Sequence, residues 1–286
     1  MTKQRKHLDT ILNSGISWIM SVVLITLSAW NGGCAGDWTR VPQQGFHTSA
    51  DATFLYGPIR GYLQTPAGGQ PGSTSHNRPT LKELGIDTAP MVDASVAAGW
   101  GAHDFYGGAR IIDLSGDNTL DQTLLTHHVT FPVGTAVSSN VRLNWYRMGY
   151  DHQWLFSHDH ATLSIDPAIE AVIFDFYYSI AGGGQSTRRT YLKANARLGL
   201  RTEWSPYHRV SLSGEVFESV PVPGQPMILS LQVLGGYRLW GTPARGGTFT
   251  LGIGYDLLNH HDLQTVPNHI HADLGPLMIA GFAIKF

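Results

Sequence analysis

The sequence is poor in cysteine, in charge and in long hydrophobic runs. Its 286 residues include one cysteine, and charged residues make up 14% of the chain. A single cysteine excludes a framework of intramolecular disulfides. The formal net charge of -2 provides no basic surface of the kind that binds nucleic acid, so we expect no nucleic-acid partner. Because disulfides are excluded, the stability of the fold must have another source.

A continuous hydrophobic run occurs at the N-terminus. Residues 15–29 are uncharged and mostly apolar, and they follow a basic N-terminal stretch. At roughly 15 residues this run is short for a bilayer span and is typical of a secretory signal peptide. We predict a signal peptide over residues 1–35. The alternatives are an uncleaved anchor helix and lipidation of Cys34.

The character of the sequence changes twice after the signal. Residues 36–88 are rich in Gly, Pro, Thr and Gln, and they predict an irregular N-terminal segment in which Gly85 ends a single helical turn. Residues 89–286 instead alternate apolar and polar side chains with a period of two, as β-strands do when one face is apolar. We predict that this second part forms one domain.

The alternating segments are long. The clearest spans residues 189–203, where one face is ionic and the other is apolar. Segments of about ten residues or more suit a tilted strand that crosses hydrocarbon, whereas strands of soluble domains are usually shorter. We predict an all-β fold, an antiparallel up-and-down transmembrane β-barrel with eight strands. Ten strands result if residues 51–63 and a split at Trp100 each contribute, and twelve remain possible.

The chain ends in a strand that carries a recognisable pattern. Gly281, Ile284 and Phe286 occupy its glycine, apolar and terminal aromatic positions, whereas Ile279 stands where the pattern has a polar residue. In these residues the tail resembles the C-terminal assembly signal of bacterial outer-membrane β-barrels. The resemblance implies an outer-membrane location and recognition of the last strand by the barrel-insertion machinery.

Residues 144–150 and 266–269 resemble parts of small outer-membrane barrel proteins, and the architecture is similar to the membrane domain of OmpA-type proteins. That likeness implies a lumen closed by an ion-pair network, and we predict a monomer. An unpaired ion in a narrow lumen is costly, so the inward charges should pair. The charges that we expect to face the lumen are Asp166, Glu170, Lys193, Arg197, Arg201, Glu203, Arg209, Glu215 and Arg238.

The connections between the predicted strands alternate in length. Short connections near the inner rim carry aromatic side chains, which predicts an interfacial girdle of Trp154, Trp204, Tyr207 and Trp240. Longer connections are predicted to be external loops, as in other transmembrane barrels. These are residues 116–134, 181–188, 220–226 and 259–271.

Polar side chains that suit catalysis or metal binding occur without a recognisable arrangement. Residues 157–160 (Ser-His-Asp-His) contain the types of a hydrolase triad, but neighbours on a strand point to opposite faces. His158 and His160 lack a third ligand with recognisable spacing. His269 and His271, near Asp273 on an external loop or rim, are the better candidates for a metal site, and solvated or interfacial imidazoles are the alternative. We predict no catalytic residue, no metal and no cofactor.

The sequence therefore predicts an integral outer-membrane protein in contact with lipid, with a structural or surface-interaction role through its external loops. A narrow passive channel is the first alternative and a lipid-modifying enzyme the second. A soluble periplasmic β-sandwich is the rival fold. No residue pattern identifies a surface ligand.

Overall fold

The computed structural model describes residues 38–41, 45–64, 78–242, 245–262 and 268–286. The predicted signal peptide and Cys34 lie outside them. No helix among the described residues is both long enough and apolar enough to cross a membrane.

Ten long antiparallel strands in the described part of the chain form one sheet. Each pairs with the next along the chain, and the last pairs with the first, which closes the sheet into a barrel. The strands are β1 (Phe46–Gln64), β2 (Thr88–Trp100), β3 (His103–Ile111), β4 (Ala136–His152), β5 (Ala161–Gly182), β6 (Gln185–Tyr207), β7 (Val210–Ser219), β8 (Met227–Gly241), β9 (Gly246–His261) and β10 (His269–Lys285).

The barrel has two strands more than the eight predicted. Both arise at the positions where the sequence allowed an additional strand. Strand β1 covers residues 51–63, and a turn at Gly101 separates β2 from β3. The barrel therefore begins at Phe46, within the range 36–88 that was predicted to be irregular. Pro58 and the positive φ of Gly61 (140°) interrupt the alternation of β1 and hide it in the sequence.

Short strands extend or seal the barrel. Asp113–Thr119 continues β3 along β4 beyond a break at Ile112. At the break, the Ile112 N–H donates a hydrogen bond to Asn144 Oδ1 at 2.6 Å, which satisfies a backbone donor that the sheet does not pair. Trp154–His158 pairs with the start of β5, and its other edge is covered by the two-residue strand Thr39–Arg40.

The two ends of the barrel differ. The terminal end, which carries Phe46 and Phe286, has the two-residue turns at 101–102 and 208–209, whereas the loop end carries the connections at residues 120–135 and 220–226. One predicted loop is different: strands β5 and β6 continue through residues 181–188 and meet at Gly183 and Gly184. Their φ values of 56° and 77° suit the tight hairpin turn that two glycines favour.

The outer wall of the barrel is apolar. Alternate residues on every strand point away from the lumen, and large apolar side chains there are half to two-thirds exposed, including Leu192 (67%), Val233 (51%) and Ile253 (57%). A soluble protein rarely exposes so continuous an apolar surface, whereas a membrane barrel presents one to lipid. In lipid the sheet edges must pair, which explains the closure. The predicted transmembrane barrel is confirmed.

The loop-end half of the lumen is filled by apolar side chains, which we call the apolar plug. Trp145, Phe174 and Leu63 are among its inward residues and have exposures of 0 or 1%. The turn after residue 80 adds Leu81 and Leu84, which are fully buried. Eight strands would leave a narrow interior, and ten leave a wider one that this turn helps to fill.

The turn that enters the lumen has its own stabilising contacts. Thr80 N–H and Oγ1 both donate to Glu83 Oε2 at 2.8 Å, and Glu83 N–H donates to Thr80 Oγ1 at 3.2 Å. This reciprocal arrangement is that of a helix capping box. Gly85, with a φ of 75°, ends the single turn at the position that the sequence predicted.

Candidate functional site

A layer of ion pairs lies in the lumen next to the apolar plug, and we call it the charge layer. Arg110 is its centre: its Nε donates to Asp93 Oδ2 at 2.6 Å, and its Nη1 contacts Asp256. Asp93 is on the neighbouring strand, but Asp256 is on β9, which is separated from β3 by three strands. The Arg110 side chain therefore bridges the lumen. Arg147 also donates to Asp93, at 2.9 Å.

A second group in the charge layer is centred on β5 and β6. Arg197 Nη1 lies 3.0 Å from Glu170 Oε1, and both side chains are no more than 3% exposed. Tyr106 Oη donates to the other carboxylate oxygen of Glu170 at 3.0 Å. Because the ion pair is dry and hydrogen-bonded, removal of one partner alone would leave a buried charge without compensation.

Arg201 joins this group to the water-accessible side of the lumen. Its Nη1 lies 2.7 Å from Asp151 Oδ2, and its Nε lies 3.5 Å from Glu215 Oε2. Its guanidinium carbon is also 4.3 Å from the ring centre of Tyr106, which is cation–π geometry. Arg201 is thus held by carboxylates on two strands and by an aromatic face.

A polar cavity of about 360 Å³, the vestibule, occupies the terminal-end half of the lumen. Glu203 and Lys285 approach to 3.9 Å at its mouth, and Ser164 Oγ donates to Asp166 at 3.2 Å. Arg209 and Arg238 also line it. The lumen therefore changes from an open chamber lined by charged side chains at one end to a packed apolar core at the other.

The structure groups the predicted lumen residues in two places. Glu170, Arg197, Arg201 and Glu215 belong to the charge layer. The vestibule contains Asp166, Glu203, Arg209 and Arg238. Lys193 joins neither group, because it lies on the inward face of β6 beside Phe174, at the level of the apolar plug.

Sequence reasoning missed half of the charge layer. Asp93, Arg110, Arg147, Asp151 and Asp256 take part in ion pairs but were not assigned to the lumen. They lie on four strands: Asp93 on β2, Arg110 on β3, Arg147 and Asp151 on β4, and Asp256 on β9. Their pairing depends on which strands meet across the barrel.

The predicted girdle residues lie together at the terminal end. Trp154, Trp204, Tyr207 and Trp240 are between 40 and 70% exposed, and Trp240 packs against Phe282 with ring centres 5.5 Å apart. Their location at one rim agrees with an interfacial position. Their contact with lipid headgroups remains a prediction.

The residues of the C-terminal signal are ordered in the last strand. A Cβ at Gly281 would lie 2.3 Å from Thr53 Cγ2, so the strand needs glycine there. Ile284 pairs with β1 and β9, and Phe286 N–H donates to Thr48 O at 2.9 Å while its side chain stays 59% exposed. Recognition of this strand by the insertion machinery remains a prediction.

The serine and histidine sets show no catalytic geometry. The Ser157 hydroxyl lies 3.5 Å from the hydroxyl of Thr39, and His158 Nε2 is 3.5 Å from an Asp159 carboxylate that is 80% exposed. This is a surface turn and not a buried triad. Within residues that the structure describes, no group of three or more His, Cys, Asp or Glu side chains is placed to hold a metal ion.

No protein-family model matches the sequence, and the search of curated proteins finds no match. Solved structures do match. Ail, the attachment invasion locus protein of Yersinia pestis, is 9% identical, with 84% of this chain and 99% of that chain covered and a TM-score of 0.31. The outer-membrane protease OmpT of Escherichia coli is 10% identical, with 87% and 98% covered and a TM-score of 0.41.

A FadL homologue of Pseudomonas aeruginosa is 7% identical, with 84% of this chain and 90% of that chain covered and a TM-score of 0.30.

The ten antiparallel strands of this chain close without a free edge, face lipid with apolar side chains and keep charge inside. The chain is an outer-membrane β-barrel protein.

Proposed function

We propose that the protein is a non-conducting outer-membrane barrel that acts through the surface at its loop end. The observation that carries this proposal is the apolar plug. Its side chains come from strands all round the barrel and from the turn at residues 80–86, and they pack into one continuous cluster. An ion would have to leave its hydration shell to pass them, at high cost.

The packed structure at the loop end supports a role in surface contacts. The outward apolar side chains of the barrel wall, which include Leu192, Val233 and Ile253, form an apolar belt. Strands β4, β5 and β6 continue past this belt, and the inward β5 side chains Tyr178 and Ile180 are fully buried there. A hairpin of Leu124–Thr126 and Val129–Phe131 adds Leu124 and Phe131 to the same core. Loops on a rigid scaffold commonly carry recognition.

The hairpin lies against the barrel wall beside β6. Burial, and then the nearby guanidinium of Arg189 on β6, lower the pKa of the His127 imidazole at the hairpin turn. A neutral imidazole is favoured there. The hairpin is thus packed onto the barrel through Leu124 and Phe131, and it presents its exposed side chains from a fixed position.

The proposal is tested by single-channel recording of the refolded mature protein in a planar bilayer. Folding is first confirmed by a heat-modifiable band on the same sample. We expect a silent bilayer. Stepwise conductance would overturn the proposal. If its ion selectivity also changed in Arg201→Glu, but not in the outward-facing control Arg142→Glu, the protein would be a narrow channel. The vestibule is the feature that supports this second candidate function.

The surface role has a separate test. Residues 121–134 are replaced by a short Gly-Ser linker, and cells with equal amounts of heat-modifiable barrel are compared for adhesion and autoaggregation. We expect the protein-dependent part of cell contact to fall. Unchanged cell contact would argue against a role for this loop.

A further inference from the structure

A basic and aromatic patch lies on the outer wall of the barrel, apart from the lumen. It consists of Arg60, Tyr62, Arg78, His261, His269 and His271, and we call it the outer basic patch. Strands β9, β10 and β1 are neighbours, and their pairing places His261 beside His269 and His271 beside Tyr62.

The alternation of β10 fixes the direction of these side chains. Ile270, Ala272 and Leu274 are fully buried in the lumen, so His269 and His271 point outward. On β1 the fully buried residue is Leu63, which places its neighbour Tyr62 on the outer face. The patch therefore faces sideways, toward whatever surrounds the barrel.

The height of the patch is set by the apolar belt on the same three strands. Toward the terminal end the outward residues are apolar, with Phe54 50%, Ile253 57% and Met278 69% exposed. The next outward positions toward the loop end are Tyr56 and Tyr255. Pro58 then separates Tyr56 from Arg60 on β1, and Leu257 and Asn259 separate Tyr255 from His261 on β9. Aromatic residues mark the edge of the hydrocarbon, so the patch lies at the level of the lipid headgroups.

Contacts within the patch hold its cations in place. The Arg78 guanidinium carbon is 3.3 Å from the ring centre of Tyr62. Tyr62 Oη is hydrogen-bonded to His269 Nε2 at 3.0 Å and its ring stacks on His271 at 5.5 Å between centres. His261 and His269 pack edge to face at 5.0 Å. An aromatic platform thus orients Arg78.

The positive charge of the patch is only partly offset by the parts of the chain that the structure describes. Neither Arg60 nor Arg78 has an ion pair there. Asp273 is the register partner of Arg60 and also interacts with Tyr255, so the patch sets two arginines against one carboxylate. Elsewhere on the outer wall, Arg142 shows the opposite arrangement, with Asp113 at 3.0 Å and Asp175 at 3.8 Å.

We propose that the outer basic patch binds the phosphate groups of a phosphorylated glycolipid in the outer leaflet. Guanidinium groups form paired, charge-assisted hydrogen bonds with phosphate, and imidazole N–H groups add donors. The patch faces laterally into the headgroup layer, so a lipid reaches it with its acyl chains along the apolar belt. This ligand chemistry lies beyond the proposed surface role and does not depend on it.

The test measures binding of lipid A to the folded barrel in detergent by native mass spectrometry. Arg60→Gln with Arg78→Gln is compared with the wild type and with Arg142→Gln, an arginine on the outer wall whose charge is already paired. We expect the double variant to bind lipid A about tenfold more weakly, since charge-assisted hydrogen bonds are lost. The affinity of the control should not change. Heat modifiability shows that each variant is folded.

Two further ligands separate the sources of phosphate. Dephosphorylated lipid A should bind the wild type as weakly as lipid A binds the double variant, and inorganic phosphate in millimolar excess should not displace lipid A. Equal affinity of the wild type and the double variant would overturn the proposal. So would equal binding of the dephosphorylated lipid, which would indicate acyl-chain contacts alone, or full displacement by inorganic phosphate, which would indicate a free-anion site.

Discussion

The ring of Phe217 covers Gly199 on the neighbouring strand of the lumen wall. The two residues are directly paired between β6 and β7, and a Cβ at Gly199 would lie 2.2 Å from Phe217 Cε1. The guanidinium carbons of Arg197 and Arg201 lie 5.2 and 4.8 Å from the centre of the same ring. The missing side chain thus makes room for the aromatic contact of both arginines.

We expect Gly199→Ala to destabilise the folded barrel by about 1–3 kcal/mol, because the methyl group forces the Phe217 ring out of its position. The measurement is urea unfolding in lipid vesicles followed by tryptophan fluorescence. Gly235→Ala is the control, since the nearest atom to its Cβ is 3.8 Å away. If Gly199→Ala unfolds with the control, the packing argument is wrong.

The buried pair of Glu170 and Arg197 gives a second prediction. Glu170→Gln alone leaves the Arg197 charge without its partner, and we expect a loss of about 3–5 kcal/mol in the free energy of unfolding. The double variant Glu170→Gln with Arg197→Met removes both charges and should recover much of that loss. Equal stability of the single and double variants would show that the loss in the single variant does not come from an uncompensated Arg197 charge.

The apolar belt predicts a dependence on depth. Ile253→Arg places a charge near the middle of the lipid-facing wall and should cost about 2–4 kcal/mol in vesicles. Leu239→Arg, outward on the neighbouring strand but near the terminal rim, should cost about 0–1 kcal/mol. The same unfolding experiment measures both, and a larger loss for Leu239→Arg would contradict the membrane position that the belt defines.

The C-terminal strand predicts an effect on assembly. Deletion of Phe286 removes the terminal aromatic and its backbone hydrogen bond to Thr48, but it leaves the register pairs of β10 with β1 and β9 up to Lys285. We expect less heat-modifiable protein in the outer-membrane fraction and little change in the stability of barrel refolded in vitro. Normal membrane levels after the deletion would mean that Phe286 is not part of a recognition signal.

The sequence predicted most of the wall of the barrel. In β8, alternation placed Leu229 and Val233 outward and Ser230 and Gln232 inward, and the structure has them there. Alternation works because each strand has lipid on one face and the lumen on the other. It failed in β1, where Pro58 and the glycines on either side break the pattern.

What the sequence did not contain was the relation between distant strands. The contact of Arg110 with Asp256 depends on barrel closure and on the stagger of the strands, which no single strand encodes. The tight turn at Gly183 was missed for a different reason. Polar residues around it suggested a loop, although two adjacent glycines also suit a hairpin whose strands extend beyond the lipid.

That hairpin has a practical consequence. On β5 the outward residues become polar at Asp175, and at about 3.3 Å per residue the remaining length to Gly182 is about 23 Å. Gly183 and Gly184 are exposed at its tip, away from the lumen contacts. A peptide grafted between them would stand clear of the apolar outer wall, on a scaffold whose lipid-facing part need not change.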